Sequence, residues 1–135
     1  MDSSNSYFIS ALDDYTHLND TLGQIQILNN LGSYFIINDK PLSLEYYLKA
    51  LDLATYLVNE KQLCRINTNL GNLYSFWQDN KTAIEYQLKA LMYYESKGNE
   101  FELAVSYFGI GISYSSLNQS AEGIPYLIRS LGLAR

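Results

Sequence analysis

The feature that most constrains this chain is a repeat with a period of about 40 residues. Gly32, Gly71 and Gly111 follow Leu31, Leu70 and Ile110, and precede Phe35, Tyr74 and Tyr114 by three positions. Further on, Ser43, Ala83 and Gly123 form a column of small residues. The columns Tyr46/Tyr86/Tyr126, Lys49/Lys89/Arg129, Ala50/Ala90/Ser130 and Leu51/Leu91/Leu131 keep the same register. A partial copy leads the chain, where Tyr7-Phe8-Ile9-Ser10-Ala11-Leu12 aligns with Tyr46-Tyr47-Leu48-Lys49-Ala50-Leu51. A period of this size means stacked supersecondary units, each burying its apolar face only against its neighbours.

Within a unit the apolar positions follow helical spacing: Leu70, Tyr74 and Trp77 form one stripe, and Ala83, Tyr86, Ala90 and Leu91 another. Between the stripes lie polar breaks, Asn38-Asp39-Lys40, Gln78-Asp79-Asn80 and Asn118-Gln119-Ser120, which supply N-cap side chains. Helices are expected near 4–18, 21–37, 41–58, 61–77, 81–97, 100–116 and 121–135. Pro41 suits a first helical position. Gly98 suits a left-handed C-cap, and Pro125 calls for a kink or a delayed helix start at Gly123. Glycine inside a helix costs roughly 1 kcal/mol relative to alanine. Close approach of the two helices of a hairpin offsets that cost, with Gly71 meeting Ala83 while Tyr74 and Tyr86 fill the flanking space.

Composition narrows the function. With 47% hydrophobic and 17% charged residues the chain reads as folded rather than disordered. Rare valine and abundant leucine, alanine and tyrosine favour helix over sheet. Net charge is −5 with no basic cluster, whereas nucleic-acid binding needs a basic stripe. The overall balance suits a cationic peptide or basic protein surface better. The lone Cys64 excludes an intrachain disulfide and a thiolate metal cage. The start, MDSSNSYFIS, lacks the pattern of a secretory signal. No apolar run approaches the length of about 20 that spans a bilayer. The expectation is a cytoplasmic segment without direct membrane contact, in which the triplets at Asn19, Asn80 and Asn118 are turn chemistry.

Groups for catalysis do not converge. His17, the only histidine, sits by Asp13, Asp14 and Asp20 as in an acidic surface turn. The three aspartates lack the alternation of a calcium loop. Gly109-Ile110-Gly111 has neither a preceding strand nor a third glycine for cradling phosphate. Cys64 reads as a buried, idle thiol. Most of the 13 tyrosines recur at repeat positions, as core residues with the hydroxyl at the edge. Tyr93 and Tyr94 are adjacent and point apart. Glu45/Lys49 and Glu85/Lys89 have the i,i+4 spacing of exposed ion pairs. No enzyme activity, cofactor or metal is expected.

Leu70-Gly71-x-x-Tyr74 with Ala83, Tyr86 and Ala90 resembles the tetratricopeptide repeat. Gly123 and Ser130 replace the two alanines in the last unit. The early tryptophan gives way to Leu28, Asn67 and Tyr107, and the closing proline is absent. The period exceeds the common 34 residues because the second helices run longer. The resemblance implies an all-α, right-handed superhelix of antiparallel helical hairpins over residues 1–135. It would consist of a partial repeat at 1–20 and repeats at about 21–59, 60–99 and 100–135, cut from a longer polypeptide. Long units of this kind are similar to those of bacterial regulatory and sensory arrays, and imply recognition of a peptide or protein on the concave face. Carried over by register, the groove positions are Gln26, Asn29, Asn30, Ser33 and Ile37 in the first unit. They are Arg65, Asn69, Asn72 and Phe76 in the second, and Phe108, Ile112 and Ser116 in the third. Asparagine amides pair with peptide backbone, and Arg65 suits a carboxylate. Family members that clamp a peptide C-terminus use lysines where this chain has Asn29 and other neutral residues. The alternative is a scaffold that homo-oligomerises through its terminal helices.

Overall fold

Short polar side chains open the helices, and they do so in the breaks between apolar stripes. The computed structural model describes Ser6, residues 9–11, Asp13 and residues 20–133, and all of its regular structure is helical. Helix α1 (Thr21–Phe35) begins at Asp20, whose Oδ1 accepts the Gly23 N–H at 2.9 Å. Asp39 caps α2 (Lys40–Tyr56) through the Leu42 N–H at 3.1 Å. Asn59 accepts the Gln62 N–H at 3.1 Å at the start of α3 (Glu60–Phe76). Asp79 accepts the Thr82 N–H at 3.2 Å and starts α4 (Asn80–Lys97). At α5 (Glu100–Ser116) Asn99 and Glu102 form a reciprocal capping box. Helix α6 runs Ser120–Leu133. The six helices agree with expectation to within two residues. The described residues of the leading helix expected at 4–18 are helical, and its remainder lies outside the described residues.

The prolines and the helix ends refine the sequence reading. Pro41 is the second residue of α2, where its missing N–H is no loss. Helix α6 starts at Ser120 rather than at Gly123, and carries Pro125 inside it. Three helices close in the same way. Asn59 N–H reaches Ala54 O and Val58 N–H reaches Thr55 O; Asp79 and Gln78, then Gln119 and Asn118, repeat the pattern onto Tyr74 and Ser75, then Tyr114 and Ser115. These paired bonds are the Schellman arrangement, which needs a left-handed residue. Val58, Gln78 and Asn118 supply it at φ 51°, 65° and 59°. Gly98 does not: it ends α4 in extended backbone, φ −81° and ψ 160°. What Gly98 provides is room, since a Cβ there would stand 2.7 Å from Tyr94 O.

The chain divides into two compact units, residues 1–69 and 70–135. In the first, α1 packs on α2. Gly32 lies against the Tyr47 ring, where an added Cβ would come within 2.5 Å, and Ser43 Oγ donates to Gly32 O at 2.6 Å. Ile25, Leu31, Tyr47, Ala50, Ala54 and Ile66 form the buried core here. In the second unit the end of α3 meets α4, α4 packs on α5 and α5 on α6. A Cβ on Gly71 would meet Gln87 at 2.9 Å and Ala83 O at 3.4 Å, so the expected approach to Ala83 is present, with Gln87 the tighter neighbour. A Cβ on Gly111 would meet Leu127 at 2.6 Å, and one on Gly123 would meet Gly111 O at 2.8 Å. Leu91, Tyr107 and Ile110 centre the core of this unit.

Beside each crossing two aromatic rings stack: Phe35 on Tyr46 at 5.9 Å, Tyr74 on Tyr86 at 5.7 Å and Tyr114 on Tyr126 at 5.8 Å, with interplanar angles of 17°, 8° and 16°. Lys49 and Lys89 extend over the Tyr46 and Tyr86 rings. Lys49 also pairs with Glu45 at 3.1 Å, an exposed contact of small energetic weight. Tyr93 and Tyr94 do not simply point apart, since their rings meet edge-on at 6.2 Å.

The geometry predicts the effects of three substitutions. Gly123→Ala forces a methyl onto a backbone carbonyl and should destabilise the chain by about 2 kcal/mol. Gly132→Ala, with nothing within 4 Å, should stabilise it by up to about 1 kcal/mol. Urea unfolding of the two variants should therefore move in opposite directions. Val58 is β-branched, 77% exposed and left-handed. Val58→Asn should accordingly raise stability by about 1 kcal/mol, read from the same unfolding midpoint.

Candidate functional site

Register brings amide side chains of α1 and α3 onto facing surfaces within the first unit. On α3, residues 62, 65 and 69 share one face by their spacing of three and four. On α1, residues 26, 29, 30 and 33 do the same. Gln26, Asn29, Asn30, Gln62 and Arg65 line an open cleft of about 190 Å³. Its floor is ordered across the repeat: Asn69 Nδ2 donates to Asn29 Oδ1 at 3.1 Å, between side chains 40 positions apart in sequence. Asn29 and Gln62 are each only 5% exposed, whereas Gln26, Asn30 and Arg65 are exposed at the rim. Four carboxamides and one guanidinium thus face a common space, and among the described residues no acidic side chain lines it.

The other groove positions take separate places. Ser33 is exposed, and its Oγ is 2.8 Å from Tyr47 Oη. Burial pushes the Tyr47 hydroxyl above its ordinary pKa, and the bond to Ser33 opposes that shift. Ile37 lies in the turn after α1 and is 61% exposed. In the second unit Asn72 is exposed, and Phe76, at the end of α3, meets Trp77 edge-on at 5.6 Å. Phe108 and Ile112 are 56% and 45% exposed. With Phe101 and Val105 they form an apolar stripe along α5. Ser116 folds back to donate to Ile112 O at 3.0 Å.

Gln62 is the residue that the carried-over register misses. It precedes Arg65 by three and Asn69 by seven, so helical spacing alone would have placed it on the same face. Its position just after the Asn59 cap makes it look like part of a helix start.

The residues weighed for chemistry resolve simply. Asp20 is an N-cap and Cys64 is buried. Gly109-Ile110-Gly111 lies inside α5. His17 and Asp14 fall outside the described residues. Among the described residues no group of three or more His, Cys, Asp or Glu could hold a metal ion. No helix among them is long and apolar enough to cross a membrane.

Comparison with known proteins agrees with the fold. No curated protein matches the chain. The crystal structure of BtubC (BKLC) from P. vanneervenii superposes with a TM-score of 0.86 at 20% identity, over 96% of this chain. This chain spans 54% of that one. The family model of the tetratricopeptide repeat matches residues 65–97, from the middle of α3 to the end of α4. Residues 65–97 are therefore a tetratricopeptide repeat, the kind of unit that generally binds proteins or peptides, and the chain around them has the same helical-hairpin fold.

Proposed function

We propose that this chain is a peptide- or protein-recognition module, with the α1–α3 cleft as part of its binding face. The observation that carries the reading is the Asn29–Asn69 pair, which holds two amides in place at an open polar cleft. A solvated helix face has no need of such fixed carboxamides. Each carboxamide offers both donor and acceptor and so matches the N–H and C=O of an extended peptide. The exposed stripe Phe101, Val105, Phe108 and Ile112 adds an apolar surface suited to partner side chains. The role is regulatory: a segment of a cytoplasmic bacterial signalling protein, joined to an output domain such as a diguanylate cyclase, a histidine kinase or a transcription regulator. A ligand seated on α1 and α3 would change how neighbouring helices pack and pass that change to the output. The segment itself performs no chemistry.

Peptides selected on the intact chain from a displayed random library test the reading. Binding should fall by about tenfold or more when Asn69, Asn72 and Arg65 are replaced together by alanine, since several polar contacts are lost at once. Undiminished binding by that variant would place recognition elsewhere.

A second reading, assembly between copies, is favoured by α6. Ile124, Ile128 and Leu131 are 50%, 64% and 61% exposed, although their counterparts Ile84 and Leu91 on α4 are 6% and 5% exposed. Sedimentation at rising concentration decides it. Self-association that Ile128→Glu abolishes would support assembly, and a monomer at every concentration would exclude it.

A further inference from the structure

We propose that the Gln87 side chain is a two-position joint between α3, α4 and α5, able to swing outward over Gly109. The joint does not depend on what the cleft binds. The repeat supplies its own comparison. Tyr47, Gln87 and Leu127 occupy one column, 40 residues apart, and each fills the space beside the glycine of its hairpin. Tyr47 is 1% exposed, and its hydroxyl is bonded to Ser33 Oγ at 2.8 Å. Leu127 has no polar side-chain atom to satisfy. Gln87 brings a carboxamide to the same place, and its Oε1 is buried without a hydrogen-bond partner among the described residues. An amide oxygen in that condition keeps its full desolvation penalty, so a leucine, as at 127, would be the more stable choice. The fit against Gly71, where an added Cβ would stand 2.9 Å from Gln87 Cγ, explains the stem of the side chain but not its polar tip.

A second anomaly lies at that tip. Gly109 is inside α5, where glycine lowers helix stability relative to alanine. At Gly32, Gly71, Gly111 and Gly123 an added Cβ would come within 3.0 Å of a neighbour, so close packing accounts for those glycines. At Gly109 it would meet only Gln87 Nε2, at 3.5 Å, an ordinary contact that alanine tolerates. The observed packing thus leaves both Gly109 and the carboxamide beside it unexplained. One movement accounts for the two together. Rotation about the outer torsions of Gln87 carries the carboxamide across the bare Cα of Gly109, which is half-buried, and there Oε1 gains water as a donor. A methyl group on residue 109 would stand in that path. The inward position fills the α3–α4 crossing but leaves an acceptor unpaired. The outward position satisfies the acceptor but leaves the crossing underfilled. Each position has what the other lacks, so the two lie close in free energy, and α5 shifts against α4 as they exchange.

Relaxation dispersion on the ¹⁵N-labelled chain reads the joint on the microsecond-to-millisecond timescale, where packed helices shift. The Gln87 NH₂ group should show exchange between two positions. The backbone amides of Gly71 and Gly109 should report the same exchange, and that of Gly111, beside Leu127, should not. Gly109→Ala should suppress the exchange by obstructing the outward position while Gln87 is still present. Gln87→Leu should quiet Gly71 and Gly109 and raise the melting temperature by about 3 °C. A Gln87 side chain without dispersion would overturn the joint, as would exchange that Gly109→Ala leaves undiminished. A melting temperature lowered by Gln87→Leu would overturn it too, since the carboxamide would then be stabilising where it lies and have no reason to move.

Discussion

Close approach between paired helices is the constraint on which the rest of the structure depends. At three places, 39 and 40 residues apart, a glycine on the first helix of a hairpin faces a small residue on the second: Gly32 with Ser43, Gly71 with Ala83, Gly111 with Gly123. Each copy fills the crossing differently. Ser43 adds a hydrogen bond to the Gly32 carbonyl, while Tyr47, Gln87 and Leu127 take the space a Cβ would need. What stays constant is a glycine set against a small residue, and with it the stacked aromatic pair one turn away. Repetition of that geometry is what sets Asn69 beside Asn29.

Legibility in the sequence followed the physics of each feature. Periodic apolar positions and Asp or Asn caps announce themselves locally, which is why six helices could be read to within two residues and Asp39 and Asp79 recognised as caps. Helix ends were harder. Left-handed residues are usually glycine, yet Val58 and Gln78 occupy that conformation because the Schellman bonds and the next cap over-determine it. Gly98 misled for the opposite reason, being needed for its missing Cβ rather than for its φ. At the cleft, Gln26, Asn29, Asn30 and Arg65 were named from register and do line one space. Gln62 escaped because burial, and an oxygen without a partner, are properties of three-dimensional surroundings that no spacing rule contains.

Charge is a quantity of the whole chain, whereas binding in the cleft is a local question. A net charge of −5 points towards a cationic partner. Yet a ligand in the cleft would meet first the groups that line it, which among the described residues are four amides and a guanidinium. At physiological ionic strength the screening length is about 8 Å, so acidic residues elsewhere on the surface contribute little at this point. The Arg65 guanidinium at the rim lies within that length of anything seated in the cleft. A ligand there would therefore feel the nearby guanidinium more than the distant carboxylates. The overall negative charge still acts during approach, where it slows an acidic partner and makes the encounter faster as salt increases.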